Sequence, residues 1–566
     1  MRLYSAASSA TRGRASTISI QVARFPGADE VGEARSVVEG DKAGDVTSPL
    51  VATLGTAPFT IDDLDALASG PARLSLSDAA RALVTASRDV VERHAAADAP
   101  IYGLNTGLGA NLDFRVPAAD IEDFQEQLVR GRTIGVGESL PEHVCRAALI
   151  GRCVGMAQGG AGISMPLLEL LLAMVERGVT PVIPRRGSIG AGDLGLAAHI
   201  GAVVLGRGVA WQGGRQQPGS EALSAAGLTP VKLGAKDGHA LCNTSAVTTG
   251  YAAIALADAS RLLLFAVHSA ALAEEGYGAN PLIFEARIAA LRPAARQEDA
   301  AALFRRLLEG SYLHDLGAAQ RIQDPLSFRC LSPILGVVLQ AHADARREVE
   351  IELNSAADSP VVLLPDGSML STANFLTPAI ALAFDVLAIA FTHMATACFH
   401  RIAKLMSQES SGLPRYLSPV GGGSAGYVPL QKLCAALLGE VRLRATPASL
   451  DAMPVSEAVE DVAPQTPLAI AELADQLEPL RIMIAVEALV AAQAIDLRNV
   501  RLAPRTRRLY DAVRAVVPQL ETDREPAPDI ERVVGLVADP DLLAELEASL
   551  DGLDLSFLPR YSAVGH

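Results

Sequence analysis

Mainly α, with a central bundle of long helices, is the fold class this sequence predicts. Three observations carry that expectation. Half of the 566 residues are apolar but only 4% are aromatic, and alanine and leucine, both strong helix formers, dominate the apolar set. Long apolar segments run without a breaker through the second half of the chain, at 245–275, 283–310, 330–351, 374–407, 426–444 and 465–505. No alternation of period two persists long enough for a large sheet.

Taken in order, residues 1–50 read as an unstructured or transit-like extension. Arg2, Arg12, Arg14 and Arg24 lie among serines and alanines, with no acidic residue before Asp29. A disordered tail or an early start site fits the same composition. From Ile61 the pattern is helical. Asp62–Leu67 is a short amphipathic turn ended by Gly70-Pro71, and Ser75–Ala97 is a longer helix with Ser77 as its N-cap. Tyr102–Gly109 holds Gly103, Gly107 and Gly109 and must be a loop. Residues 119–178 give two or three helices, and Val179–Gly192 is a Pro/Gly-rich bend. Val361–Leu364 before Asp366-Gly367 predicts a small hairpin. This divides the chain into an extension (1–50), an N-terminal domain carrying the glycine-rich loops (51–245) and a helix bundle with C-terminal helices (246–566).

Composition excludes several function classes. A net charge of −16 argues against nucleic-acid or anionic-membrane partners. The six cysteines are scattered without CxxC or metal-ligand spacing, which fits free thiols in the reducing cytoplasm and no metal site. The longest apolar stretch, Ala379–Phe399, contains Asp385 and His393, and reads as a helix buried among others rather than a membrane span.

The chemistry-bearing motifs are ordered along the chain. They are Tyr102–Gly109, Gly187-Ser-Ile-Gly-Ala-Gly-Asp-Leu-Gly195, Lys236–Asn243, Gln323–Cys330, Asn354–Pro360 with Asn374-Phe375, Ser411–Pro414 and Glu460-Asp461. Arg329 offers a planar fork of donors suited to a carboxylate. Asn243 can both donate and accept. Tyr102, on a glycine-rich loop, is a candidate proton-transfer group.

Together these motifs resemble the aromatic amino acid ammonia-lyases, over roughly residues 55–510. The resemblance implies the long-helix bundle of the ammonia-lyase (fumarase/aspartase-like) type, a homotetramer, and active sites combining residues from several subunits. It implies Tyr102, Asn243, Arg329 and Glu460 as catalytic residues, with Gln323 beside the substrate. The family builds its electrophile, a methylidene-imidazolone, from an Ala-Ser-Gly tripeptide. Here Ala191 is followed directly by Gly192 and Asp193, and glycine has no β-carbon to become the methylidene. The expectation is therefore no cofactor. Ala68-Ser69-Gly70 is a literal Ala-Ser-Gly, but it lacks the lead-in of the signature and reads as the end of a short helix.

Other departures cluster with that one. Leu326 replaces a family tyrosine, His239 stands where a leucine packs on the substrate ring, Gly131-Arg132 falls where the family chooses between substrates, and Lys432 replaces an uncharged residue. His239, Arg132 and Lys432 are accordingly candidate substrate-binding groups. The methylidene serves to make a poor leaving group or an unacidic Cβ–H reactive through covalent attachment. A quaternary trimethylammonium needs no such help, because it has no lone pair to attack with and departs as neutral trimethylamine. That logic resembles ergothionase, which acts on ergothioneine, and extends to a related histidine betaine such as hercynine. An ammonia-lyase or aminomutase with another electrophile, and a catalytically silent paralogue, are the alternatives.

Overall fold

The computed structural model describes residues 49–553 except 98, 295, 451 and 452. The extension expected at 1–50 therefore lies almost wholly outside the described residues. A parallel pair of strands, Leu50–Leu54 and Ala72–Leu76, flanks the helix α1 (Ile61–Ser69). Thr60 and Asp63 close a reciprocal capping box at its start, and Gly70 ends it in an extended conformation. The helix predicted from Ser75 begins only at Asp78 (α2, Asp78–Ala95), with Ser77 as its N-cap. The preceding residues alternate Ala72, Leu74 and Leu76, and pairing with the first strand wins over helix propensity there.

Then come α3 (Ile121–Arg132), α4 (Glu142–Ala157), α5 (Leu194–Val204) and the short α6 (Asp237–Cys242). Sheets are small throughout, and the predicted hairpin forms between Val361–Leu363 and Ser368–Leu370.

The bundle is made of α7 (Ala246–Tyr277), α9 (Leu331–Leu353), α10 (Pro378–Leu405), α11 (Val428–Arg444) and α12 (Thr466–Arg498), with the single-turn α8 (Leu326–Arg329) entering α9. The segment expected as one helix at 283–310 is broken. Helices at Ala286–Ala290 and Gln297–Leu307 are separated at Arg292-Pro293, where proline cannot supply the N–H that a continuing helix requires. α7 packs against α12 and α4 and is buried on nearly every face, which explains why its sequence is apolar all round.

α7 and α10 are long and apolar enough to cross a membrane by length and composition alone. α7 is enclosed by protein, whereas α10 is half-covered: Leu382, Val386 and Ile389, at i, i+4 and i+7, stay exposed along one stripe. Asp385, the charge inside that apolar run, is buried and accepts from the Ala448 and Ser449 N–H groups at 3.0 Å each.

Candidate active site

The Gly187–Leu194 turn is held from both sides. Ser188 Oγ accepts from the Gly190 N–H at 3.1 Å, the Gly192 N–H donates to the Phe375 carbonyl at 3.1 Å, and the Asp193 N–H donates to the Thr244 carbonyl at 2.6 Å. Asp193, at the start of α5, accepts from the Thr248 N–H at 2.7 Å and the Thr248 hydroxyl at 2.5 Å. It is thereby tied to the first turn of α7, where a carboxylate complements the helix dipole. Burial nevertheless pushes its carboxyl up to about 6. Nearby Glu352, which accepts from Ser245 Oγ, is pushed up to about 7, again chiefly by burial.

The departure from the family signature falls between Ala191 and Gly192. The Gly192 φ of +71° suits glycine, and a β-carbon there would lie 3.0 Å from Asn243 Oδ1. The residues present do not fit a methylidene-imidazolone, because the serine whose β-carbon would become the methylidene is missing.

Asn243 ends α6. Its Nδ2 donates to the Ser359 carbonyl at 2.9 Å. A buried arginine fixes both segments, since Arg152 Nη2 donates to the Ala240 carbonyl of α6 at 2.5 Å and to Asp358 Oδ1, one residue before Ser359, at 2.9 Å. Lys236 opens α6 in a left-handed conformation, and its buried Nζ donates to the Ala161 carbonyl at 2.5 Å. Burial pulls that amine down to about 8, against the opposing charge of Asp358.

The Tyr102 loop folds back on itself. Asn105 Oδ1 accepts from the Ile101 N–H at 2.8 Å, the Gly107 N–H donates to the Phe114 carbonyl at 2.9 Å, and the Gly109 N–H donates to Tyr102 Oη at 3.2 Å. Tyr102 meets His239 edge to face, with ring centroids 5.8 Å apart. His239 is buried, and desolvation, reinforced by the positive charges of Lys236 and Arg132, pulls its imidazole down to about 3. It is a neutral ring at any ordinary pH. Arg132, at the last residue of α3, is half-buried; its carbonyl accepts from the Ile134 N–H at 2.8 Å, and its guanidinium has no hydrogen-bond or ion-pair partner among the described residues.

So the structure gathers Tyr102, His239, Asn243 and the Gly192 turn at the N-terminal end of α7. The chain that follows Glu460 reaches this turn at Gln465, whose N–H donates to the Ile189 carbonyl at 2.9 Å. Glu460 lies in a loop bridged to Val455, not on a helix.

Arg329 and Gln323 are elsewhere. Phe328 stacks on Tyr277, the last residue of α7, with centroids 4.1 Å apart, and Asp324 accepts from the Asn280 N–H at 2.7 Å just beyond that helix. A 32-residue helix is about 48 Å long, so one protomer holds Asn243 and Arg329 at opposite ends of its bundle. Gln323 and Leu326 are exposed there and Arg329 is half-buried, while Lys432 is exposed on α11.

Gln125, Arg152, Asp358 and Asp193 support the site without having been singled out from the sequence. Asp193 and Asp358 stood inside quoted motifs. Gln125 and Arg152 sit on helices with no local signal, and only the tertiary packing gives them partners.

The sequence profile of the family described as Aromatic amino acid lyase matches residues 59–515. A histidine ammonia-lyase of Anaeromyxobacter sp. (strain K) is 38% identical over 491 residues, covering 85% of this chain and 97% of that relative. One from Symbiobacterium thermophilum is 36% identical, covering 87% and 97%. Among solved structures, ergothionase from Treponema denticola, in complex with desmethyl-ergothioneine sulfonic acid, superposes with a TM-score of 0.83 at 30% identity, covering 87% of this chain and 99% of that one. Histidine ammonia-lyase from Trypanosoma cruzi gives 0.83 at 28% identity, covering 91% and 98%. This chain belongs to the aromatic amino acid lyase family, and it is a lyase.

Proposed function

We propose that this lyase eliminates trimethylamine from a histidine betaine, ergothioneine or hercynine, without a methylidene-imidazolone. The observation that carries the reading is the signature turn, in which Gly192 follows Ala191 directly and closes against Asn243. The likeness to Treponema denticola ergothionase supports it.

Tyr102 takes the proton from Cβ. The electrons of that C–H bond form the Cα=Cβ double bond, and the Cα–N bond breaks with its pair on nitrogen. Neutral trimethylamine leaves, and a urocanate-type acrylate remains. Arg329 grips the carboxylate with two charge-assisted bonds, and Gln323 lies beside it. Asn243 faces the departing nitrogen. Glu460 and Lys432 engage the ring, drawing electron density into it and acidifying Cβ–H, and Arg132 and neutral His239 complete a polar wall.

Because Arg329 and Asn243 are about a helix length apart in one protomer, the site is completed by other subunits of a homotetramer. The exposed stripe of α10 gives that assembly an apolar surface to bury. The substrate is a small cytoplasmic metabolite.

Incubation with ergothioneine, hercynine and histidine separately tests the reading. Trimethylamine and a conjugated product are expected from a betaine, with an intact mass showing no loss of two waters. Ammonia and urocanate from histidine, with both betaines inert, would favour a histidine ammonia-lyase, the activity of the relatives of highest identity named above. Inertness of all three would favour a silent paralogue.

A further inference from the structure

We propose that Gln125 is a positioning residue that sets the place of Tyr102 and of His239 together. Its carboxamide is completely buried between α3, the glycine-rich loop and α6. Oε1 accepts from the His239 N–H at 2.8 Å, and Nε2 donates to the carbonyl of Gly103, the residue after Tyr102, at 3.3 Å. A single side chain thus ties the loop bearing the proton-transfer group to the helix bearing its aromatic neighbour.

The fit around this tie is tight. A β-carbon on Gly103, whose φ is +67°, would overlap the His239 ring, and one on Gly238 would overlap the Gln125 carbonyl. Loop, α6 and α3 therefore meet at backbone contact, and the amide is the polar link at the centre of that contact. His239 Nδ1 is buried with no hydrogen-bond partner among the described residues. The ring is accordingly held by its own backbone N–H bond and by packing against Gly103 and Tyr102.

A glycine-rich loop has high intrinsic freedom, so an anchor next to Tyr102 decides how often its hydroxyl sits in the reactive place. The role in catalysis rests on Tyr102 moving the proton, as proposed above. The role in fixing the loop does not.

Gln125→Glu separates positioning from simple stability. When protonated, the new carboxyl donates its O–H to the Gly103 carbonyl and accepts from the His239 N–H, as the amide does. When ionised it can only accept, and it repels the Gly103 carbonyl. The expected result is a kcat about tenfold below wild type at high pH, recovering toward wild type as pH falls, with KM changing less. Amide exchange through residues 101–116, measured against wild type at each pH, should quicken over the same range. Gln125→Met, which keeps neither bond, should stay slow and exchange fast at every pH. A Gln125→Glu protein that tracks wild type in exchange at all pH values would overturn the proposal, as would one with a lowered but pH-independent kcat ratio. If no betaine or amino acid is turned over, the exchange measurement still decides the tie, and the proposed reaction fails alone.

Discussion

At the N-terminal end of α7 the candidate site groups are sealed in by their own protomer, whereas at its C-terminal end they lie open. Gln125, His239 and Asn243 are 0%, 3% and 7% exposed, each with its backbone or side chain bonded to a neighbouring segment. Arg329 is half-buried, and on the segment leading to it Leu316, Ile322 and Leu326 are 107%, 96% and 60% exposed. A lone chain does not leave such apolar residues in water without cost. On the proposed reading, half of the site is prebuilt by folding and the other half is finished by assembly. Substitutions at the two ends should therefore fail in different ways.

The largest effect is expected at the sealed end. Arg152→Ala would strand the buried Asp358 carboxylate, and should cost about 3–5 kcal/mol of stability in denaturant unfolding. A near-normal midpoint would show that the network is not what holds Asn243. Arg329→Ala should do the opposite. The protomer keeps its fold and Tm, but kcat/KM falls by about 2–5 kcal/mol of transition-state stabilisation through the lost carboxylate grip. If the Tm fell in parallel with activity, Arg329 would be a structural residue.

Gly192→Ala forces a side chain into a left-handed position and against Asn243. Thermal unfolding should report a loss of about 1–3 kcal/mol, with activity lowered further because Asn243 is displaced. An unchanged protein would mean that the turn is slack and the argument from its closure is void.

The smallest effect is a pH dependence. Glu352 is raised to about 7 by burial, so the native state keeps a proton that the unfolded chain has already released. Stability contributed by that proton is full below the ordinary glutamate range and declines as pH rises toward 7. Glu352→Gln should flatten this decline by about 1–3 kcal/mol between pH 4.5 and 8. The contribution of Asp193, raised to about 6, should remain. Equal slopes in the two proteins would remove Glu352 from the account.

How much of this could be read from the sequence follows the same division. The bundle helices were legible because apolar runs without breakers admit little else, and so was the ordered set of motifs. Ser77 as an N-cap and the hairpin at Val361 follow from local chemistry. What was illegible depended on distant pairing. The strand Ala72–Leu76 exists because Leu50–Leu54 lies beside it. Gln125 and Arg152 look like ordinary helix residues until α6 is packed against them. Glu460 lies in a loop that bridges back to Val455, a pairing with no local signal in the sequence. The distance between Asn243 and Arg329 has no local signature either, since it is set by the length and direction of α7.

Subunit complementation tests the central claim, that one site draws on both ends through different protomers. Tyr102→Phe and Arg329→Ala proteins, each inactive alone, would be dissociated, mixed in equal amounts and reassembled, then assayed with whichever substrate the wild type turns over. The account predicts recovery of about one quarter of wild-type activity, the statistical share of sites receiving an intact residue from each of two subunits. A mixture as inactive as its two components would contradict it, placing Tyr102 and Arg329 in a site served by a single chain.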